Sequence, residues 1–251
     1  MRAWILAAVS VGAPGLLARA DVVSILPSRD NTLINQAPGS PTIYADGAGA
    51  ALFSGVTADN FKRRALIEFD IAGSIPAGAT ITRVDLTLTC TRTRGGSLAL
   101  SLYRMTSDWG EGDTNPFGQG GLGAPAVAGD ATWNERFFGS GNTWTTPGGD
   151  FVPVVSATRS VSGTGVYQWT TTPQLVADVQ SWLNNPDANY GWILKSPENV
   201  SSNAKRFTSR QSTATDELPK LRIEYTVPTP ATAAVLGLAG CVVTSRRRRT
   251  P

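Results

Sequence analysis

Arginine, carboxylate and tryptophan are the side chains with which this sequence can do chemistry, because it contains no His. That absence removes Ser-His-Asp and Cys-His catalysis, His-ligated zinc and His proton shuttles together. Two basic clusters, Arg63-Arg64 and Lys205-Arg206 with Arg210, fall on predicted strands. Strand alternation places Arg63 with Ala65 and Ile67, and Arg64 with Leu66 and Glu68, so one arginine of the pair faces each way. If the two strands are neighbours, the clusters form a stripe able to grip carboxylates, to which a guanidinium offers a bidentate fork. The competing assignment is internal ion pairing with Glu68, Asp70 or Asp108.

Trp109, Trp133, Trp144 and Trp169, with Tyr167, offer flat apolar faces on which sugar rings can stack. The competing assignment for each is core. Trp144, between Gly139-Ser140-Gly141-Asn142 and Pro147-Gly148, reads as the best-exposed platform, while Trp182 and Trp192 read as core. Asp108, Glu111 and Asp113, supplemented by Asp130 or Asp150, can hold a structural Ca²⁺, which takes about six to eight oxygens. The spacing is not that of an EF-hand, and side chain–backbone turns account for the same residues. Paired carboxylates hydrolyse glycosides, but nothing in the sequence pairs Glu68, Glu111, Glu135 and Asp113. No P-loop, nucleophile elbow or dinucleotide fingerprint occurs. A catalytic function is therefore not expected.

The elements that must position these residues are mostly strands. Period-2 patterning recurs at Val22–Leu26, Ala65–Phe69, Ile81–Thr91, Leu98–Leu102, Val152–Thr158, Val166–Trp169, Gly191–Lys195, Arg206–Ser209 and Leu221–Tyr225. Gly and Pro turn signals separate them. One helix interrupts the pattern: Thr172 caps it, Pro173 fits its first turn, and Leu175, Val176, Val179, Trp182 and Leu183 share a face. The expected fold is all-β, a single jelly-roll-like β-sandwich with one short helix. Residues 107–150 form a long Gly-rich, aromatic excursion, where binding function is expected. Cys90 ends the run Val84-x-Leu86-x-Leu88-x-Cys90 and reads as a buried, inert thiol with no partner for a disulfide in the body.

The charge separates the body from its flanks. The formal net charge is +3, from 22 basic and 19 acidic residues. Six of the basic residues, Arg2, Arg19 and Arg246 to Arg249, lie in 1–20 and 228–251, which hold no acid; the body keeps 16 basic against 19 acidic residues, a net of −3. A nucleic-acid surface should lie on the folded domain, so nucleic acid is not an expected partner. Residues 1–20 have a charged start, an apolar stretch and Ala18-Arg19-Ala20, the layout of a signal peptide with a cleavage site before Asp21. Residues 228–251 run Pro228-Thr229-Pro230, an apolar stretch containing Cys241, then Arg246-Arg247-Arg248-Arg249. Arginines after an apolar run stay cytoplasmic, which leaves the body outside. This tail resembles the PEP-CTERM sorting signal cut by exosortases, with Pro-Thr-Pro where that family usually has Pro-Glu-Pro. The alternative is a plain C-terminal membrane tail.

An ordered set of strings resembles the DNRLRE domain family. It comprises Arg63-Arg64-Ala65-Leu66-Ile67-Glu68-Phe69-Asp70, Ile75-Pro76-Ala77-Gly78-Ala79, Asp108-Trp109-Gly110-Glu111-Gly112 and Thr132-Trp133-Asn134. Asn189-Tyr190-Gly191-Trp192, Phe207-Thr208-Ser209-Arg210 and Pro219 to Tyr225 complete it, covering most of 22–226. The resemblance implies a secreted, non-catalytic β-sandwich over 21–227, similar to carbohydrate-binding modules attached to alginate lyases. The expected protein is a secreted or cell-surface module that binds polysaccharide, with acidic, uronate-containing chains among the candidates. Signal peptidase and an exosortase are its expected processing partners. A structural protein of the envelope or extracellular matrix is the alternative; a His-independent lyase or glycosidase is the remaining one.

Overall fold

The computed structural model describes residues 20–118 and 121–228. Residues 1–19 of the expected leader 1–20, and the apolar and arginine-rich part of the tail, with Cys241, lie outside the described residues, while Ala20 opens the first strand. Within them the chain forms strands β1 (Ala20–Ile25), β2 (Arg29–Ile34), β3 (Tyr44–Ala45), β4 (Ala51–Val56), β5 (Lys62–Glu68), β6 (Thr80–Thr93) and β7 (Leu98–Met105). There follow β8 (Ala124–Pro125), β9 (Glu135–Phe137), β10 (Asn142–Thr143), β11 (Phe151–Val161) and β12 (Gly165–Trp169). Helix α1 (Pro173–Asn184) precedes β13 (Trp192–Lys195), β14 (Lys205–Thr208) and β15 (Lys220–Thr226).

Eleven strands make one large, curled antiparallel sheet in the order β1-β15-β6-β14-β4-β5-β13-β7-β11, with β12 on β6 and β2 on β5. Strand β4 joins its two halves. Ala51 to Ser54 pair with β14, whereas Gly55 and Val56 pair with β5. The turn of the sheet falls at Gly55, whose φ of 124° suits a residue without a Cβ, and a Cβ there would lie 2.7 Å from the Ala204 backbone. Side chains of both halves fill one core: Val84, Leu86, Leu221 and Phe207 from one, Ala65, Ile67, Leu102 and Trp192 from the other.

Helix α1 forms as its sequence dictates. The Thr172 hydroxyl accepts from the Leu175 N–H at 3.0 Å, and Leu175, Val179, Trp182 and Leu183 are buried at helical spacing. Asp178 joins that buried face. Its carboxylate accepts from Ser156 Oγ, Gln174 Nε2 and Trp192 Nε1, and Arg104 lies 3.4 Å away. Cys90 is buried, and burial raises its thiol pKa.

The excursion over 107–150 does not stand off the fold. It covers the outer face of the second half, where Leu33, Leu66, Met105, Trp109, Ala131, Trp144 and Ile193 form a second core. Leu66 and Ile193 would otherwise face water, and burying each large apolar side chain is favourable by about 1.5–3 kcal/mol. Glycine allows the close approach: a Cβ on Gly110 would meet the Gly129 carbonyl oxygen at 1.7 Å. The expectation that Trp144 is an exposed platform is corrected, since it is 4 % exposed and its Nε1 donates to Thr132 O at 2.9 Å. Trp109 is fully buried and donates to Tyr190 O. Trp169, Trp182 and Trp192 are core.

Candidate functional site

Most of the basic residues singled out in the sequence hold the protein together. Arg64 is buried; its Nε and Nη2 donate to the two Glu198 oxygens at 2.6 and 2.8 Å, its Nη1 donates to Gly148 O, and its guanidinium lies 4.7 Å from the Trp133 ring centre. Arg210 forks onto Glu111, and its backbone N–H donates to Asp30 Oδ2. Lys205 is fully buried, with Nζ donating to Thr93 Oγ1 at 2.6 Å, Arg94 O at 2.9 Å and Gly96 O at 2.7 Å. Arg64, Lys205 and Arg210 are therefore corrected from ligand contacts to internal ties. For Arg64 and Lys205 the reason is burial, since a cation taken out of water needs fixed acceptors, whereas Arg210 is exposed and is tied by its fork to Glu111.

The acidic loop is equally committed. Asp108 accepts from Arg29 and from the Trp109 N–H, while Glu111 accepts from Arg210, Gln211 and the Asp30 N–H. Asp113 is exposed. Asp130 accepts from Thr114 and Val127, and Asp150 from Ser107, Thr145 and Thr146, as side chain–backbone turns do. No group of three acidic, His or Cys side chains that can hold a metal ion occurs among the described residues, and Asp108 and Glu111, expected as Ca²⁺ ligands with Asp113, are engaged by Arg29 and Arg210 instead. Glu68 is held by Arg29, and Glu135 accepts from the Gly139 N–H.

The remaining arginines converge. Strands β5 and β14 are not neighbours; each flanks β4. The bend in β4 nonetheless brings Arg63 and Arg206 to one depression of about 510 Å³, together with Phe53, Arg92, Arg94 and Leu122. Its floor is a cross-strand row. Arg206 pairs with Phe53 of β4 on one side and with Arg92 of β6 on the other. Directly opposed residues of antiparallel strands project to the same face, and like charges so placed are destabilising.

A register shift puts Arg92 in that row. Leu86, Leu88 and Cys90 alternate into the core, so unbroken alternation would send Arg92 inward as well. Between β14 and β6, however, Phe207 pairs with Cys90 and Arg206 with Arg92, which leaves Thr91 as an extra residue. That bulge reverses the phase of the strand end. Thr93 now meets the buried Lys205, and Arg92 and Arg94 are exposed. The three bonds from Lys205 fix the turn that carries them.

Arg63 lines the depression as a fixed charge. It is buried, and it donates to the carbonyls of Gly121, Asn35 and Lys62. Burial lowers its pKa to about 10, partly offset by Asp46. Asp46 is itself buried; burial raises it to about 7 against the pull of the Gly121 backbone N–H, Arg206 and Arg63. Arg92, Arg94 and Arg206 make no ion pair among the described residues. The buried Arg206 Nε has no hydrogen-bond partner. The arrangement can bind an anion beside an apolar ring. Strand patterning alone does not single out Arg92 and Arg94, although the Arg-x-Arg step just before Gly95-Gly96 is a visible signal. Comparison with known proteins finds no family model that matches the chain and no curated protein similar to it.

Proposed function

We propose that this chain is a non-catalytic polysaccharide-binding module whose ligand carries carboxylates, as uronate-containing chains do. One observation carries the reading: Arg206 and Arg92 face each other beside Phe53 in a depression with four arginines and one lining carboxylate, Asp59, which forms no ion pair with Arg92, Arg94 or Arg206 among the described residues. An acidic sugar supplies what that row lacks. Its carboxylate takes the guanidinium forks, and its ring lies against exposed Leu122, over the largely buried Phe53. The net −3 of the body works against any polyanion, so the attraction has to come from this local patch.

The halves of the curled sheet, joined at β4 around one core, are read as a jelly-roll-like β-sandwich, in keeping with the resemblance to the DNRLRE family. The leader-like and tail-like segments support a place outside the cytoplasm, in the extracellular matrix or at the cell surface. Electrophoresis through gels containing a uronate polymer tests the function. The wild-type chain should be retarded, and R92A/R94A should not. A wild-type chain unretarded by every acidic polysaccharide sinks the reading, and new absorbance from unsaturated chain ends would replace it with a lyase. The engagement of Arg29, Arg64, Arg210 and Lys205 by the protein's own acceptors favours a second reading, a structural envelope module without ligand, which predicts no retardation.

A further inference from the structure

The arginine depression does not end at its own rim. A second depression of about 440 Å³ shares Arg63 and Leu122 with it, and is also lined by Tyr44 and Phe61. A third, of about 280 Å³, shares Asn35 and Gln36 with the second, and is also lined by Trp133 and Asn134. Each wall is common to two neighbours, so the three follow one another across the surface. Their chemistry changes along the way. Four arginines surround the first, whereas the second and third have Arg63 alone between them and offer aromatic rings and amides.

The loop between the second and third depressions is built rather than loose. Gln36 Nε2 donates to Thr42 O at 2.7 Å, its Oε1 accepts from the Tyr44 N–H at 3.0 Å, and Ser40 Oγ donates to Thr42 O at 2.9 Å. Tyr44 also belongs to β3, which pairs with β8 just after Leu122 and Gly123. Phe61, at the mouth of β5, and Trp133, whose ring is fixed by Arg64, are both only partly buried. Aromatic rings held in place at the surface lose little freedom when a sugar face settles on them.

We propose that these depressions are successive subsites of one groove that takes the interior of a polysaccharide strand. An acidic unit sits among Arg92, Arg94 and Arg206, and following units cross Leu122 onto Tyr44 and Phe61 and then reach Trp133. This rests on the proposed function, since it extends the same site. It explains why anion-binding groups gather at one end only: they fix the register of the strand, and the aromatic part adds affinity with length.

The test is the length dependence of binding, measured by calorimetry with uronate monomer, dimer, tetramer and hexamer. Affinity should rise at least tenfold from dimer to hexamer. F61A should remove most of that rise by weakening the longer chains, and R94A should weaken every length. Hexamer, but not dimer, should shift the tryptophan fluorescence, and W133F should abolish the shift; the melting temperature of each variant reports that the fold is intact. Equal affinity for dimer and hexamer, with F61A silent, overturns the groove and leaves the arginine site standing. Binding to no uronate of any length overturns the arginine site too. Binding to poly-glutamate but no glycan overturns the sugar class for both.

Discussion

Two sets of arginines in this molecule live under opposite rules. Arg64, at the edge of the covered outer face, has a bidentate carboxylate, a carbonyl and an aromatic ring around it. Arg92, Arg94 and Arg206, at the far end of β6 and β14, share a depression with Arg63, an apolar ring and Asp59, and make no ion pair among the described residues; only buried Asp46 pulls on Arg206. The first arrangement satisfies every demand of a buried cation, and the second leaves them open. The difference teaches that the number of basic residues says little about ligand binding. What matters is whether the fold supplies their counter-charges.

The largest effect that can sharpen the contrast is at Arg64. R64A leaves buried Glu198 with only Lys62, 3.6 Å away, as ion-pair partner and removes the stack on Trp133, so chemical denaturation should show a loss of about 3–5 kcal/mol. W144A should cost a similar ~3–5 kcal/mol if the excursion is part of the core, and far less if it were a free loop. K205M exposes three carbonyl and hydroxyl acceptors to an apolar group. It should cost about 1–3 kcal/mol and also weaken uronate binding, because the turn bearing Arg94 loses its ties.

Acidity gives the next test. Burial holds Asp30 at about 8 and Asp46 at about 7, well above the ordinary 3.8. The folded chain therefore keeps protons that the unfolded chain has released. This contribution to stability is fully present below pH 4 and is lost as pH rises through 7 to 8. Melting temperature should fall between pH 5 and pH 8, and D30N/D46N should flatten the slope. Protonation of Asp46 also leaves Arg63 and Arg206 less neutralised, so uronate should bind more tightly at pH 6 than at pH 8. The smallest effect belongs to R94A, which should change stability by no more than about 0.5 kcal/mol while weakening binding. A large loss of stability there would erase the distinction between the two sets.

Helix α1 is legible in the sequence because its cap, its first-turn proline and its apolar face all lie within one short segment. The alternation of β6 is legible for the same reason. Cover on the outer face is not, because the burial of Trp109 and Trp144 depends on Leu66 and Ile193 being adjacent, and only sheet order decides that. The anion site is half legible. Arg63 and Arg206 stand out as basic residues on strands, but their meeting needs the bend at Gly55, and the outward turn of Arg92 needs a bulge that breaks the period the eye follows.

The length of β6 has one more consequence. At Thr80 it pairs with Thr226, which in turn pairs with Ala20, so the first strand begins and the last strand ends at one pole of the molecule. Arg92 lies at the other extreme of its 14 residues, roughly 40 Å away at about 3.3 Å per residue. Such a strand is a mast. Both described chain ends thus lie at one end of β6 and the arginines at the other.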